Sequence, residues 1–487
     1  MKLNSDFFSA KQQFLLIAGT ALITIPVVVL SFVLERYVLL AIPLLIGLSF
    51  VAVINYKVLF YLFWFSLPGS IPYDLPSGMN LDLFSEPLML VLFFIFLLRL
   101  GLDFSYFAKI PINKTYLMLF LMFIWIVISS IFSTEPLISL KYTLSKVWYF
   151  GSIIGFSLLV IREPGDFRRW FWVLYWILLI LAVVTIIRHG LMGFTFAAAH
   201  HDPMHPYYSN HVTYACIMAL FFPYLLSARK WYPKDSNLRK LLNFSILFWI
   251  VAIIISYTRA SWIAIILLPV LFLIIKFRLT KLVLLLSLAI TTIFVSYLLH
   301  NQNYLQFAPV YEKTVFNKND FSKHLTATYQ MKDVSGVERL YRWVAAKNMI
   351  AEHPITGFGP NSFTFQYKPF AESRFRTYVS DNVERSSTHN YFLLVASEQG
   401  IPGLILFTLF VAFILIRGEN LYHNLKYESS KSLVVAATLS FGAMIFHLFL
   451  NDLVEVDKLG ALFFFVPVLL LKVEKMDSQD QYFSIFD

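Results

Sequence analysis

The sequence predicts an all-α, polytopic integral membrane protein with about 12–14 transmembrane helices and one large loop outside the membrane. Three observations predict it. The 487-residue chain is 58% hydrophobic and 14% charged, with a mean hydropathy of +0.69, whereas a soluble domain carries about 25% charged residues. The apolar residues form long runs, and about 20 of them cross a bilayer as a helix whose backbone bonds internally. Basic residues crowd every second connection between those runs. A soluble enzyme is excluded. The single cysteine, Cys216, lies inside an apolar run, which excludes an intramolecular disulfide and argues against a cysteine-based zinc site.

Apolar runs between charged punctuation centre near residues 24, 45, 62, 92, 124, 148, 177, 218, 250, 268, 290, 403, 440 and 465. The first, Phe14–Val33, lacks a small-residue cleavage site and reads as a retained span. The third, Val58–Leu67, is short and reads either as a span or as a re-entrant piece. Spans nine and ten are separated only by Thr258, Arg259 and Ala260. With the N-terminus cytoplasmic, the inner connections hold clusters such as Arg162, Arg168 and Arg169, or Arg229, Lys230, Lys234, Arg239 and Lys240. The short outer ones hold only Arg36, Lys141, Arg188, Arg259 and Lys458. Both termini are then cytoplasmic, and the polar stretch 300–388 lies outside the cytoplasm. The chain divides into an N-terminal bundle, 1–299, this loop, and three C-terminal spans, 389–487.

The loop holds eleven Lys/Arg against eight Asp/Glu, a mixed and mildly basic surface, and a loop of that length is usually functional. No phosphate-cradling Gly-Lys-Ser pattern occurs. Chemistry on the outer face therefore needs a substrate already activated, or a gradient.

Several constellations carry chemical potential, each with a structural alternative. Arg259, in Thr258-Arg259-Ala260-Ser261-Trp262, breaks the outer charge bias at a tight turn. It is either a bidentate phosphate partner or a snorkelling side chain. His389 and Asn390 stand where the loop re-enters the membrane. Ser386, Ser387 and Thr388 are ready N-caps, so the imidazole is expected in or beside a first helical turn, where it can act as a general base. Glu398-Gln399-Gly400-Ile401-Pro402-Gly403 places a carboxylate and a Pro-Gly break inside an apolar helix, as a functional group or a structural kink. Arg339, Arg342 and Ala346 share one face of a helix that Pro354 should end near Glu352. It reads as an amphipathic helix on the outer leaflet with its arginines near lipid phosphates, or as a plain solvated face. His200, His201, Asp202 and His205 offer metal-ligand types, but Pro203 and Pro206 prevent the alignment a site needs. His211, beginning span eight, is the better candidate there. Lys146, deep in span six, needs a partner and is either a substrate contact or half of a buried pair. His447, Asn451 and Asp452 cluster at the outer end of span thirteen. All of these fall on the outer side.

Three of these stretches resemble the O-antigen ligase and polymerase superfamily of membrane glycosyltransferases: Ser387 to Leu393 with the Glu398-to-Leu404 run, Arg339 to Gly359, and Thr258 to Trp262. They lie in family order over about residues 210–410, while the first 200 residues resemble the family only in hydropathy. The resemblance implies a GT-C-like enzyme of the bacterial inner membrane with its long loop periplasmic. Its donor would be an undecaprenyl-diphosphate-linked glycan, and its acceptor a lipid A–core or glycan hydroxyl. Membrane lipids are the other expected partners, with no nucleic acid. It also implies catalytic roles for His389 and for Arg259, which with Arg339 or another loop arginine would clamp the diphosphate; Arg339, Arg342, Asn390, Glu398, His211 and Lys146 are the expected substrate contacts. No metal or cofactor is expected, and direct displacement would invert the anomeric carbon. Ligase is favoured over repeat-unit polymerase or protein O-oligosaccharyltransferase. A flippase or other transporter fits less well, because transporters place ionisable residues at the midplane of paired halves.

Overall fold

The structure, a computed structural model, describes residues 26–27, 41–74, 80–102, 114–200, 203–308, 334–376, 380–381 and 386–481. The expected span Phe14–Val33 falls almost wholly outside them. The molecule is an all-α polytopic membrane protein. Its long helices are α1 (Ala41–Gly69), α2 (Ser85–Leu102), α3 (Lys114–Ile131), α4 (Pro136–Val160) and α5 (Pro164–Leu191). They continue with α6 (His211–Ala228), α7 (Asn237–Ile255), α8 (Arg259–Lys276), α9 (Thr280–Leu299) and α10 (Val334–Glu352). The last three are α11 (Tyr391–Asn424), α12 (Glu428–Leu448) and α13 (Asp457–Ser478). Ten helices among the described residues are long and apolar enough to cross a bilayer. Every sequence-predicted centre from residue 45 onward lies in one of the thirteen.

The two expected spans near residues 45 and 62 both lie in α1, which an extended residue, Asn55 (φ −154°, ψ 87°), divides into two helical segments. Its second half crosses the bundle and is not re-entrant. At one end Lys57 pairs with Asp166 at the start of α5, 2.8 Å away. At the other, the Ser70 carbonyl accepts from Lys458 at the start of α13 at 2.6 Å. A short antiparallel hairpin, β1 (Ile71–Asp74) with β2 (Asn80–Leu83), caps that end.

Helices α6, α12 and α13 form the centre, and nearly every side chain of α13 is buried, from Leu459 to Val473. Aromatic rings fill it: Phe441 stacks on Phe463 at 4.5 Å, and Trp170 meets Phe465 at 4.7 Å. Helix α9 is the opposite case. Its leucines and isoleucines, among them Leu285, Leu288, Ile290 and Ile293, stand out from the bundle. An apolar helix exposed all round is stable only in lipid. A π-helical turn, Gly151–Gly155, widens α4, and Gly151 and Gly155 leave room for the rings of Phe93 and Phe96.

Helix α11 is broken at Gly400 (φ 70°, ψ −177°), so the Pro-Gly run marks a true interruption. The loop segment after α10 fills it. Phe358 N–H donates to the Ser397 carbonyl (3.0 Å), Gly359 N–H to that of Glu398 (2.8 Å), and Ile401 N–H to that of Pro354 (2.8 Å). The Glu398 carboxylate accepts from the N–H groups of Asn361 (2.8 Å) and Phe363 (3.0 Å). Trp125 donates to the Gln399 carbonyl at 2.7 Å, and Ser129 to those of Thr356 and Glu398. Irregular backbone at this depth survives only where protein satisfies it.

Glycine is required twice here. Gly357 and Gly400 have positive φ, and a Cβ on either would collide with main chain, of Glu398 and of Ile355 respectively. Gly400→Ala or Gly357→Ala should destabilise the protein by about 2–4 kcal/mol. Gly101→Ala, at a position with nothing nearby, should leave the unfolding temperature in detergent within a degree or two of wild type. Equal melting of all three variants would show that the break is not held as described.

Candidate functional site at one end of the bundle

The candidate residues collect at the end of the bundle where α8, α11 and α13 begin and α12 ends. The His389 turn is built first. Thr388 Oγ1 accepts from the Asn390 N–H (3.1 Å) and donates to the Asn390 carbonyl (2.7 Å). The helix cap is Asn390 and not Ser386, Ser387 or Thr388: its Oδ1 accepts from the Leu393 N–H at 3.1 Å. Asn390 Nδ2 donates to the Phe449 carbonyl, just beyond α12, at 3.2 Å. His389 thus stands just outside the cap, in the left-handed region (φ 51°). A non-glycine residue held there stores strain that the surroundings must enforce.

Helix α10 enforces it from the loop side. Trp343 Nε1 donates to the Thr388 carbonyl at 2.9 Å, and Arg342 points at the Ser387 carbonyl at 3.5 Å. α10 ends at Glu352, as Pro354 dictates, but its arginines do not all face lipid. Arg342 is buried and paired with Glu338 (3.4 Å), among Val337, Tyr341, Ala345, Ala346 and Met349. The helix rests its apolar face on the protein, and burying Arg342 requires the Glu338 partner. Arg339 is half-buried. Burial first, then the Arg339 and Arg342 guanidinium groups, push the His389 imidazole down to about 3. It is therefore neutral across the physiological range.

The Arg259 turn is built similarly. Tyr257 takes the left-handed conformation (φ 54°) that reverses the chain between α7 and α8. Thr258 Oγ1 donates to the His211 carbonyl at 3.2 Å, which brings two expected site residues together. One helical turn on, Ser261 lies 3.4 Å from Nε2 of the buried His447. Both turns, Arg259 from α8 and His389 from α11, therefore abut the same end of α12.

Lys146 is half of a pair: its ammonium lies 2.8 Å from Glu455, in the connection between α12 and α13. The rings of Tyr142 and Tyr149 lie 4.8 and 5.2 Å from it. Tyr142 and Tyr391 each donate to the other Glu455 oxygen, at 2.9 and 2.8 Å. Burial alone would raise the Glu455 carboxyl, but the Lys146 charge and these hydrogen bonds hold it below its ordinary value. Asp452 is raised by burial, in part offset by the Ser387 hydroxyl donating to it at 2.5 Å. Sequence reasoning missed Glu455, Tyr142 and Tyr391. Their signal was the demand of Lys146 for a partner, read beside the acidic run Asp452-Leu453-Val454-Glu455-Val456-Asp457.

Glu398 lines the resulting cleft with Ser387, Asp452, Glu455 and Lys146; its cavity volume is about 270 Å³. His201 and Asp202 lie outside the described residues, and no trio of metal-ligating side chains occurs among those described.

Residues 244–408 match a family described as O-antigen ligase, a stretch that holds the Arg259 turn, α10, the His389 turn and the break at Gly400. The resemblance drawn from the motifs is borne out there. The match supports O-antigen ligase/polymerase-type function in general, that of a glycosyltransferase-like membrane enzyme acting between a lipid-linked glycan and an acceptor. No curated protein matches the chain.

Removing one partner of a buried ion pair costs more than removing both. Lys146→Met and Glu455→Leu alone should each cost about 2–3 kcal/mol, and the double variant less than either. Additive losses on chemical unfolding in detergent would contradict the pairing.

Proposed function

We propose that the protein transfers an undecaprenyl-diphosphate-linked glycan to an acceptor hydroxyl at the periplasmic face of the inner membrane. A surface-polysaccharide ligase acting on lipid A–core is the favoured form, with the repeat-unit polymerase as the alternative. The observation that carries this reading is the imidazole of His389, held on a strained turn near Arg339 and Arg342 and two residues from Ser387, which lines the cleft.

In this reading Arg259, with Arg339 from α10, engages the donor diphosphate and stabilises charge on the leaving group, while Arg342, buried against Glu338, braces the turn at Ser387. Arginines neutralise the phosphates, so the transfer is metal-independent. His389 takes the acceptor proton as the hydroxyl attacks the anomeric carbon, and a single displacement inverts it. The arrangement also couples basicity to donor binding. Burial is the larger cause of the depressed imidazole, and the arginine charges the smaller; a bound diphosphate cancels the second part, so His389 becomes a stronger base once the donor is in place. Asn390 supports the reaction by capping α11 and fixing the turn. Glu398 holds the segment Asn361–Phe363 against it, and His211 supports the Arg259 turn through its carbonyl.

The test is complementation of a deletion strain with wild type, His389→Ala or Arg259→Ala at matched membrane abundance. Each variant should lower glycan transfer by about 10²-fold or more. Loss of polymer from lipid A–core with lipid-linked polymer accumulating supports ligase, and loss of chain length with one repeat unit still attached supports polymerase. Full complementation by both variants would overturn the enzymatic reading. The coupling has its own signature in pH profiles. The acid limb of kcat, which reports the donor complex, should lie at higher pH than that of kcat/KM for the donor, which reports the free enzyme. Coincident limbs would remove the proposed link.

A further inference from the structure

We propose that the cleft on the far side of Ser387 from the arginines is the acceptor subsite, built for an uncharged or amino sugar and closed to a phosphorylated one. This rests on the transfer reading above. The Ser387 residue is the boundary. Its carbonyl faces Arg342 at 3.5 Å, while its hydroxyl donates to Asp452 at 2.5 Å. Arg342 with its partner Glu338 therefore stands on the carbonyl side of Ser387, and the Asp452 carboxylate on its hydroxyl side.

The lining has the chemistry of a carbohydrate site. Trp148 and Tyr149 from α4 supply aromatic surface for the apolar face of a pyranose ring. Glu86 from the start of α2 and Asp457 from the start of α13 supply acceptors that bind sugar hydroxyls bidentately. Ser145 and Asn361 add neutral polar groups. The cavity volume, about 270 Å³, is room for a sugar residue and more than a lone ion needs. One ammonium, Lys146, lies there, and it is committed to Glu455 at 2.8 Å, so the cleft offers a diphosphate no free cation among its lining residues. Geometry gives the same assignment. In an in-line displacement the attacking hydroxyl and the departing diphosphate lie on opposite sides of the anomeric carbon. With the diphosphate at Arg259 and Arg339, the hydroxyl arrives from the cleft side of Ser387. Its O–C bond forms as the C–O bond to the diphosphate breaks, and the proton passes to His389, which stands two residues from Ser387 at the boundary between the two sides.

The experiment uses the full-length protein in proteoliposomes, with lipid-linked glycan and lipid A–core both purified from the deletion strain. Glu86→Gln, Asp457→Asn and Trp148→Phe, on three different helices and close in shape to the native residues, are compared with wild type. The acceptor KM should rise roughly ten- to hundredfold for each carboxylate variant, the loss expected for a hydrogen bond to a charged group, while the donor KM stays within about twofold. In the wild type, acceptor phosphorylated on its terminal sugar should be transferred to at least tenfold more slowly, and Asp457→Asn should narrow that gap. A raised donor KM with an unchanged acceptor KM would show that the cleft holds the donor and overturn the proposal. Unchanged values in all three variants would overturn it too. A wild type with no transfer from any lipid-linked glycan would instead remove the underlying transfer reading, and the subsite with it. Monodisperse elution and an unfolding temperature near wild type identify the variants that fold, and three separate helices keep the test independent of any one.

Discussion

The arrangement depends on one interlock, the insertion of the segment from Pro354 to Phe363 into the break of α11. Three backbone hydrogen bonds and two to the Glu398 carboxylate join the two stretches. Without the segment, α11 would carry an unpaired Ser397 carbonyl and an unpaired Ile401 N–H inside a low-dielectric bundle, at a cost of about 1–3 kcal/mol each. With it, the loop helix α10 is anchored just beyond its own end at Glu352, and Trp343 and Arg342 are delivered to the turn at Thr388. The strain at His389 is borne by this scaffold.

The fold was legible from hydropathy because lipid imposes one solution on a chain of apolar runs. Every predicted centre that can be compared falls in a helix. The break inside α1 falls between the two apolar runs, at Asn55, two positions before the charged Lys57. The cap at α11 was misplaced. Ser386, Ser387, Thr388 and Asn390 are all good capping residues, and only the positive φ at His389 selects the last.

The candidate site was legible residue by residue but not as a geometry. Arg259, His389 and Arg342 stand out in sequence because charge at a membrane boundary needs a reason. Their common neighbour, the end of α12, does not stand out. Glu455 was hidden because an acidic residue in an extramembrane connection looks ordinary. Only the distant Lys146 makes it exceptional, and that pairing spans more than 300 positions. Arg342 was misjudged because helical periodicity shows which residues share a face but not what covers it. Here the cover is protein, with Glu338 supplied one turn earlier.

The broken helix has a consequence for how the molecule is assembled. The segment that completes α11 precedes it in the chain, so it must leave the ribosome and the membrane insertion machinery before its partner exists. Until α11 is in place, the N–H groups of Phe358, Gly359, Asn361 and Phe363 lack their acceptors, and Gly357 has no main chain to approach. Bundle and loop cannot mature one after the other. The loop has to return to a helix inserted after it, which makes the interlock a natural checkpoint for correct topology. A chain that crossed the membrane in the wrong register would leave this joint open.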